Sequence, residues 1–150
     1  MKVKDIMTSE ARCIGPEENL TAAATLMRQL DVGALPVCAN DRLAGMITDR
    51  DIAIRAVAES RDPAATPVSM VMSPDIIYTF DDQDVKEAAR IMETNQIRRL
   101  PVLNRSKRLV GMLSLGDVAR EGRDKLSGEA LREISQPAAH PENQNLKLET

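Results

Sequence analysis

The sequence predicts an α/β protein of the α+β type, built as two tandem β-α-β-β-α units. Three observations carry this. Residues 7–37 slide onto 72–102 with a constant shift of 65, and the shift becomes 66 after a single one-residue gap. Apolar residues recur at helical spacing in matching places of both halves. Each half closes with the same Gly-apolar-x-hydroxyl-x-x-Asp corner, "GMITDRD" at 45–51 and "GMLSLGD" at 111–117.

The repeat can be read residue by residue. Met7 meets Met72, Thr8 meets Ser73, Ala23 and Ala24 meet Ala88 and Ala89, and Met27 meets Met92. "LPV" at 35–37 meets "LPV" at 100–102, and then Gly45, Thr48 and Asp51 meet Gly111, Ser114 and Asp117. The expected divisions are residues 1–60 and 68–122, a linker at 61–67, and a polar tail from 123 to 150.

Each unit opens with a short strand, "RCIG" in the first and "IIYTF" in the second. A helix follows, over about 19–30 and about 84–94, with Leu20, Ala23, Ala24, Met27 and Leu30 on one face of the first and Val85, Ala88, Ala89 and Met92 on one face of the second. Asp81 or Asp82 suits the cap of the second helix, and Glu17 and Glu18 suit the dipole of the first. "ALPVC" and "RLPVL" read as short strands. Pro36 and Pro101 lack an amide donor, which fits a strand start or an edge. "RLAGMIT" and "RLVGMLS" pair beside them as hairpins, and the closing helices begin at Thr48 and Ser114. A unit this small buries little surface alone, so two copies packed face to face are expected to share a core. In the tail, a short helix near 128–135 with Ser127 near its start is expected, then a mobile end from Gln136.

Composition narrows the function. Apolar residues reach 43% but aromatics only 1%, so a pocket of stacked rings is not expected. Net charge is −3 with no long basic run, which argues against nucleic-acid binding through bulk charge. No apolar run approaches the roughly 18 residues of a membrane span. The start "MKVKDIMTSEAR" lacks the apolar segment of a signal peptide, so a cytoplasmic location is expected. The single His, His140, lies in the tail and no GxxxxGK loop is present, so neither catalysis nor a phosphate-binding Walker loop is expected.

The repeated corner has two readings. Ser or Thr with an acid three residues on is a capping box, which needs no ligand. The same geometry offers amides and a hydroxyl to a phosphate, and an acid that accepts both hydroxyls of a ribose. Cys13 and Cys38 fall on neighbouring strands of a β-α-β crossover, so they read either as two free thiols or as a redox-sensitive pair. A structural zinc needs about four ligands, which two Cys and a distant His140 do not supply.

With these motifs together, the chain resembles a CBS-domain pair, the small regulatory module of the cystathionine-β-synthase type. The resemblance rests on "VKDIMT" and "VSMVMS", "GALPV" and "RRLPV", and the two closing corners, and spans about residues 3–120. It is most similar to stand-alone CBS-pair proteins of the bacterial hypoxic and stress-response type. The resemblance implies two units about a pseudo-twofold axis, with clefts that hold adenosine nucleotides such as AMP, ADP or ATP as regulatory ligands and no required cofactor. It makes Asp51 and Asp117 ribose acceptors and Thr48 and Ser114 phosphate-side donors. Arg98 and Arg99 stand where relatives often carry a basic residue, while Gly33 and Ala34 hold those places in unit one, so unit two is expected to carry most phosphate recognition. Arg50 is a further candidate that either cleft could use. A homodimer forming a flat four-unit disc is expected, with Ile52, Ile54, Val57 and Val118 on its apolar faces; an unidentified protein target is a further candidate partner. The alternative is an assembly or adaptor protein with vestigial clefts, redox-responsive through Cys13 and Cys38.

Overall fold

The computed structural model describes residues 1–121 and 124–135. The elements are β1 (Thr8–Ser9), α1 (Leu20–Leu30), β2 (Ala34–Ala39), β3 (Arg42–Thr48), α2 (Asp49–Ile52, continued as a π-helix over Ala53–Val57), β4 (Thr79–Phe80), α3 (Val85–Asn95), β5 (Arg99–Leu103), β6 (Leu109–Ser114), α4 (Leu115–Arg120) and α5 (Asp124–Ser135). It is the mixed α/β architecture of a paired repeat.

The two hairpins have the same register. Leu35 faces Ile47 and Pro36 faces Met46, as Leu100 faces Leu113 and Pro101 faces Met112, with a bulge one residue further in each. Both prolines lie inside their strands rather than at the starts. Pro36 tolerates this because its side of the strand meets only the short segment at Ile14. That segment donates to Pro36 O at 3.0 Å and receives Cys38 N at 3.0 Å, so no amide is required of residue 36.

The opening strands are shorter than their apolar runs suggest. "RCIG" contributes a single parallel bridge, Ile14 to Val37, before Gly15 and Pro16 end the pairing. Of "IIYTF" only Thr79–Phe80 pairs, parallel to β5. The helix caps also differ from expectation. Asn19 caps α1 by accepting Ala22 N at 2.8 Å, and Asp84 caps α3 by accepting Lys86 N at 2.9 Å. Asp81 and Asp82 are otherwise engaged: Asp81 N donates to Leu103 O, and Asp82 pairs with Arg105 at 2.8 Å. Glu18 closes the preceding turn by accepting Gly15 N.

The leading segments of the two repeats are exchanged. Val3 N donates to Gln83 O and Lys4 N to Asp81 O, while Val68 N donates to Glu18 O and Ser69 N to Pro16 O. Val3 and Ile6 are buried in the core of unit two, and Val68 and Val71 in the core of unit one. β1 then pairs with β6, and Ser73 bridges to Met46 of β3. This approach explains the glycine that opens each corner. A Cβ at Gly45 would lie 2.5 Å from Ser73 O, and one at Gly111 would lie 2.7 Å from Thr8 O.

The shared core expected from sequence is instead two cores, one per unit, joined by a third small cluster. That cluster brings Cys38 and Leu43 of unit one against Leu103, Leu109, Tyr78 and Phe80 of unit two. The helix expected near 128–135 begins earlier, at Asp124, so Ser127 lies within it. It packs against α3 and α4, with Ala130 buried and Ile134 against the core of unit two. The mobile end expected from Gln136 lies outside the described residues.

Candidate functional site

Both corners form as capping boxes. Thr48 Oγ1 accepts Asp51 N at 3.0 Å while Asp51 Oδ2 accepts Thr48 N at 3.0 Å. Ser114 Oγ accepts Asp117 N at 3.0 Å while Asp117 Oδ2 accepts Ser114 N at 2.9 Å. The box therefore accounts for the spacing and fixes the side chains. It uses one carboxylate oxygen and one lone pair of the hydroxyl, and leaves Oδ1 and the hydroxyl proton for another partner.

The two corners then diverge. Asp51 is half-buried, and among the described residues no cation pairs with it. Asp117 is 4% exposed, and its Oδ1 accepts a hydrogen bond from Arg120 Nη2 one turn along α4. The position equivalent to Arg120 in unit one is Ile54, which is exposed.

A cavity of about 350 Å³ lies between the units at the second corner. Ser114, Asp117 and Arg99 line it from unit two, and Leu30, Val32 and Pro36 from unit one. The exchanged segment closes one side with Thr8, Glu10 and Arg12, and Arg120 completes the lining. Three guanidinium groups therefore border the buried carboxylate of Asp117, the exposed carboxylate of Glu10 and the hydroxyls of Ser114 and Thr8. This set can receive a ligand with a diol at one end and negative charge at the other.

Of the residues expected from sequence, Ser114, Asp117 and Arg99 come together here. Arg98, Arg50, Thr48 and Asp51 are not among the lining of this cavity. Arg99 opens β5, whereas Arg98 lies in the bend just before the strand. Arg98 meets α4 through its backbone, its carbonyl accepting Leu115 N at 2.9 Å. On unit one a hollow of about 410 Å³ holds Gly33, Asp31 and Asp49, with Arg28 as its single basic residue. A Cβ at Gly33 would lie 2.9 Å from Asp49 Oδ2, so a side chain there would have to push the exposed Asp49 carboxylate aside. The sequence reading missed Arg12, Arg120, Thr8 and Glu10. Only Arg120 carried a local signal, its i,i+3 spacing from Asp117.

Cys13 is exposed, Cys38 is buried, and neither is in a disulfide. Burial pushes the Cys38 thiol up to about 12, and its hydrogen bond with Cys13 and the nearby Asp41 charge add to the effect. Among the described residues, no group of three or more His, Cys, Asp or Glu stands where it could hold a metal ion. No described helix is long and apolar enough to cross a membrane.

Two repeats with exchanged leading segments and a charged cleft between them define a paired ligand-cleft module. The CBS-domain family matches residues 3–57 and 68–124, and the chain belongs to that family. It is 41% identical over 139 residues to the CBS domain-containing protein YhcV of Bacillus subtilis, covering 92% of this chain and 98% of that one. It is 39% identical over 137 residues to hypoxic response protein 1 of Mycobacterium tuberculosis, covering 91% and 95%.

Among solved structures, hypoxic response protein I with two coordinated zinc ions superposes with TM-score 0.74 at 41% identity, over 80% of this chain and 98% of that one. CBSX2 in complex with AMP gives 0.71 at 25% identity, over 83% and 97%. The CBS pair of MJ0100 with 5′-methylthioadenosine and S-adenosyl-L-methionine gives 0.73 at 25% identity, over 83% and 98%. CBS pairs are regulatory modules, and neighbours of this fold bind adenosine-type ligands.

Proposed function

We propose that this chain is a non-catalytic regulatory module of the cytoplasm that binds an adenosine-type nucleotide, AMP, ADP, ATP or a related ligand, in the cleft at the second corner. One observation carries the reading: Asp117 and Ser114 face the same cavity as Arg99, Arg12 and Arg120. Asp117 accepts the ribose hydroxyls, Ser114 donates toward phosphate, and the guanidinium groups receive the negative charge. The AMP and S-adenosylmethionine complexes of similar structures support the ligand class. The nucleotide is a regulatory ligand and no cofactor is required. Thr48, Asp51 and Arg50 form a second, weaker candidate corner.

A thermal-shift screen with AMP, ADP, ATP, S-adenosylmethionine, NAD and cyclic dinucleotides tests this, since a ligand that binds the native fold raises the melting temperature by mass action. No shift with any adenosine compound at millimolar concentration overturns it. Within the reading, Arg99→Ala is expected to weaken AMP by about tenfold, roughly 1.4 kcal/mol, and Arg98→Ala to change it little. Equal losses of AMP and of adenosine in Arg99→Ala, measured by calorimetry, would place this arginine outside phosphate contact.

The proposed assembly is a homodimer. Ile54 and Val57 of unit one, and Met70 of the exchanged segment that packs on it, are more than half exposed, and a second copy would cover them. Val118 does not contribute to such a face, because α5 packs over α4 and Val118 is fully buried. Ile52 is half-buried against the core of unit one. Contact is therefore proposed through unit one. Sedimentation is expected to give a dimer at micromolar concentration and a monomer for the Ile54→Asp, Val57→Asp double variant; a monomeric parent overturns it.

One observation favours a second reading, in which the chain is a redox-responsive adaptor for a protein target. Cys13 lies on the segment paired beside Cys38, which sits in the cluster that joins the units. A peroxide-class oxidant would take two electrons and both thiol protons, leaving a disulfide and water. The two cysteines stand 25 positions apart and close a loop worth roughly 3 kcal/mol on the chain-entropy model. Peroxide-treated protein is then expected to melt higher and to return on addition of a thiol reductant. Before oxidation, the exposed Cys13 should label first, since Cys38 remains a protonated thiol at neutral pH. Two titratable thiols after peroxide, with no change in melting, overturn this reading.

A further inference from the structure

Asp117 has both carboxylate oxygens engaged within its own chain. Oδ2 accepts the Ser114 amide at 2.9 Å and Oδ1 accepts Arg120. The pair is lopsided: the Asp117 side chain is 5% exposed and that of Arg120 is 72% exposed. The carboxylate is therefore enclosed, while the guanidinium reaches it from the solvent side. Arg120 also lines the cavity that holds Ser114, Arg99 and Arg12, so its alternative positions include that cleft. Unit one has no such arrangement, because Ile54 takes the equivalent position and no cation pairs with Asp51 among the described residues.

We propose that Arg120 makes the unit-two cleft select phosphorylated nucleosides over bare nucleosides; the inference rests on the nucleotide reading of this cleft. Oδ1 can accept two donors, but the Asp117 side chain is only 5% exposed, so a ribose that reaches it has to move Arg120 aside. It then replaces a charge-assisted bond to a buried carboxylate with a neutral hydroxyl donor, which is the weaker interaction. A nucleoside suffers this loss and returns nothing to the guanidinium. A nucleotide offers a phosphate to the displaced arginine, whose planar fork suits phosphate oxygens and stays charged at any relevant pH. The same residue thus opposes the ribose alone and assists the ribose phosphate.

Calorimetric titration of the parent protein, Arg120→Ala, Arg120→Gln and Arg120→Lys with AMP and with adenosine tests this. In the Ala and Gln variants adenosine is expected to bind several-fold tighter than in the parent, and AMP about tenfold weaker. The preference for AMP therefore collapses. The Lys variant keeps a cation in place and is expected to recover much of the preference, which a purely structural role would not produce. If the Ala variant loses AMP and adenosine equally, or keeps the parent's preference, the inference falls while the nucleotide reading stands. If the parent binds neither ligand, the nucleotide reading itself falls and takes the inference with it. Arg120 is exposed at the end of α4, and the Gln and Lys variants retain a long polar side chain should the Ala variant fail to fold.

Discussion

Replacing Gly111 with valine is expected to cost about 3 kcal/mol of stability, the largest effect of any single change proposed for this fold. Even the first carbon of a side chain at 111 would lie 2.7 Å from Thr8 O and 2.7 Å from Met7 Sδ. The methionine end can move, but the Thr8 carbonyl belongs to β1, which pairs with β6 at this residue. The strain is relieved either by forcing the strands apart or by releasing the leading segment. Release would strip Val3 and Ile6 from the core of unit two, where they are 0% and 8% exposed. Exposing buried side chains of this size costs about 1.5–3 kcal/mol each, and overpacking without release costs about 1–3 kcal/mol. For a chain of this length the melting temperature should fall by about 6–12 °C. Gly45→Val should behave alike, since its Cβ would meet Ser73 O at 2.5 Å. A change below about 2 °C in either variant would mean that the exchanged segments are not held against these strands.

The second large effect is on binding. Asp117→Ala is expected to weaken AMP by about 1.5–3 kcal/mol, roughly 10- to 150-fold, through loss of the ribose acceptor. It should also lower stability by about 1–2 kcal/mol, because the box to Ser114 and the Arg120 pair are lost together. Asp51→Ala removes the box to Thr48 without an ion pair, so a stability loss of about 1 kcal/mol is expected with little effect on AMP at the second corner. Melting curves with and without AMP separate the effects. The ligand-induced rise should vanish in Asp117→Ala and survive in Asp51→Ala. If it survives in both, the two acids are helix caps and nothing more.

The capping boxes were legible because they are local. A hydroxyl and an acid three residues apart at a strand–helix junction bond the same backbone amides wherever the corner sits. The hairpins were legible for a similar reason, since "LPV" and "GMIT" or "GMLS" fix a register by alternation over a short turn. The proximity of Cys13 and Cys38 followed from the parallel crossover that a β-α-β unit imposes. The caps of α1 and α3 were not legible at the residue level. Several acids and amides compete within one turn, and long-range bonds such as Asp81 N to Leu103 O decide which remain free.

What the sequence determined by itself was the duplication, the class of fold, the two corners and the difference between Gly33–Ala34 and Arg98–Arg99. These depend on residues that lie close along the chain or recur at a constant shift. Tertiary structure alone decided that the leading segments are exchanged. A shift of 65 is the same whether Val3 packs in its own unit or in the other, so the repeat carries no information on that choice. It also decided that Arg99 and not Arg98 reaches the cavity, that Arg12 arrives there on the exchanged segment, and that α5 covers α4 and buries Val118. Each of these depends on which face of an element meets another far away in sequence, and that is set by packing around two separate cores.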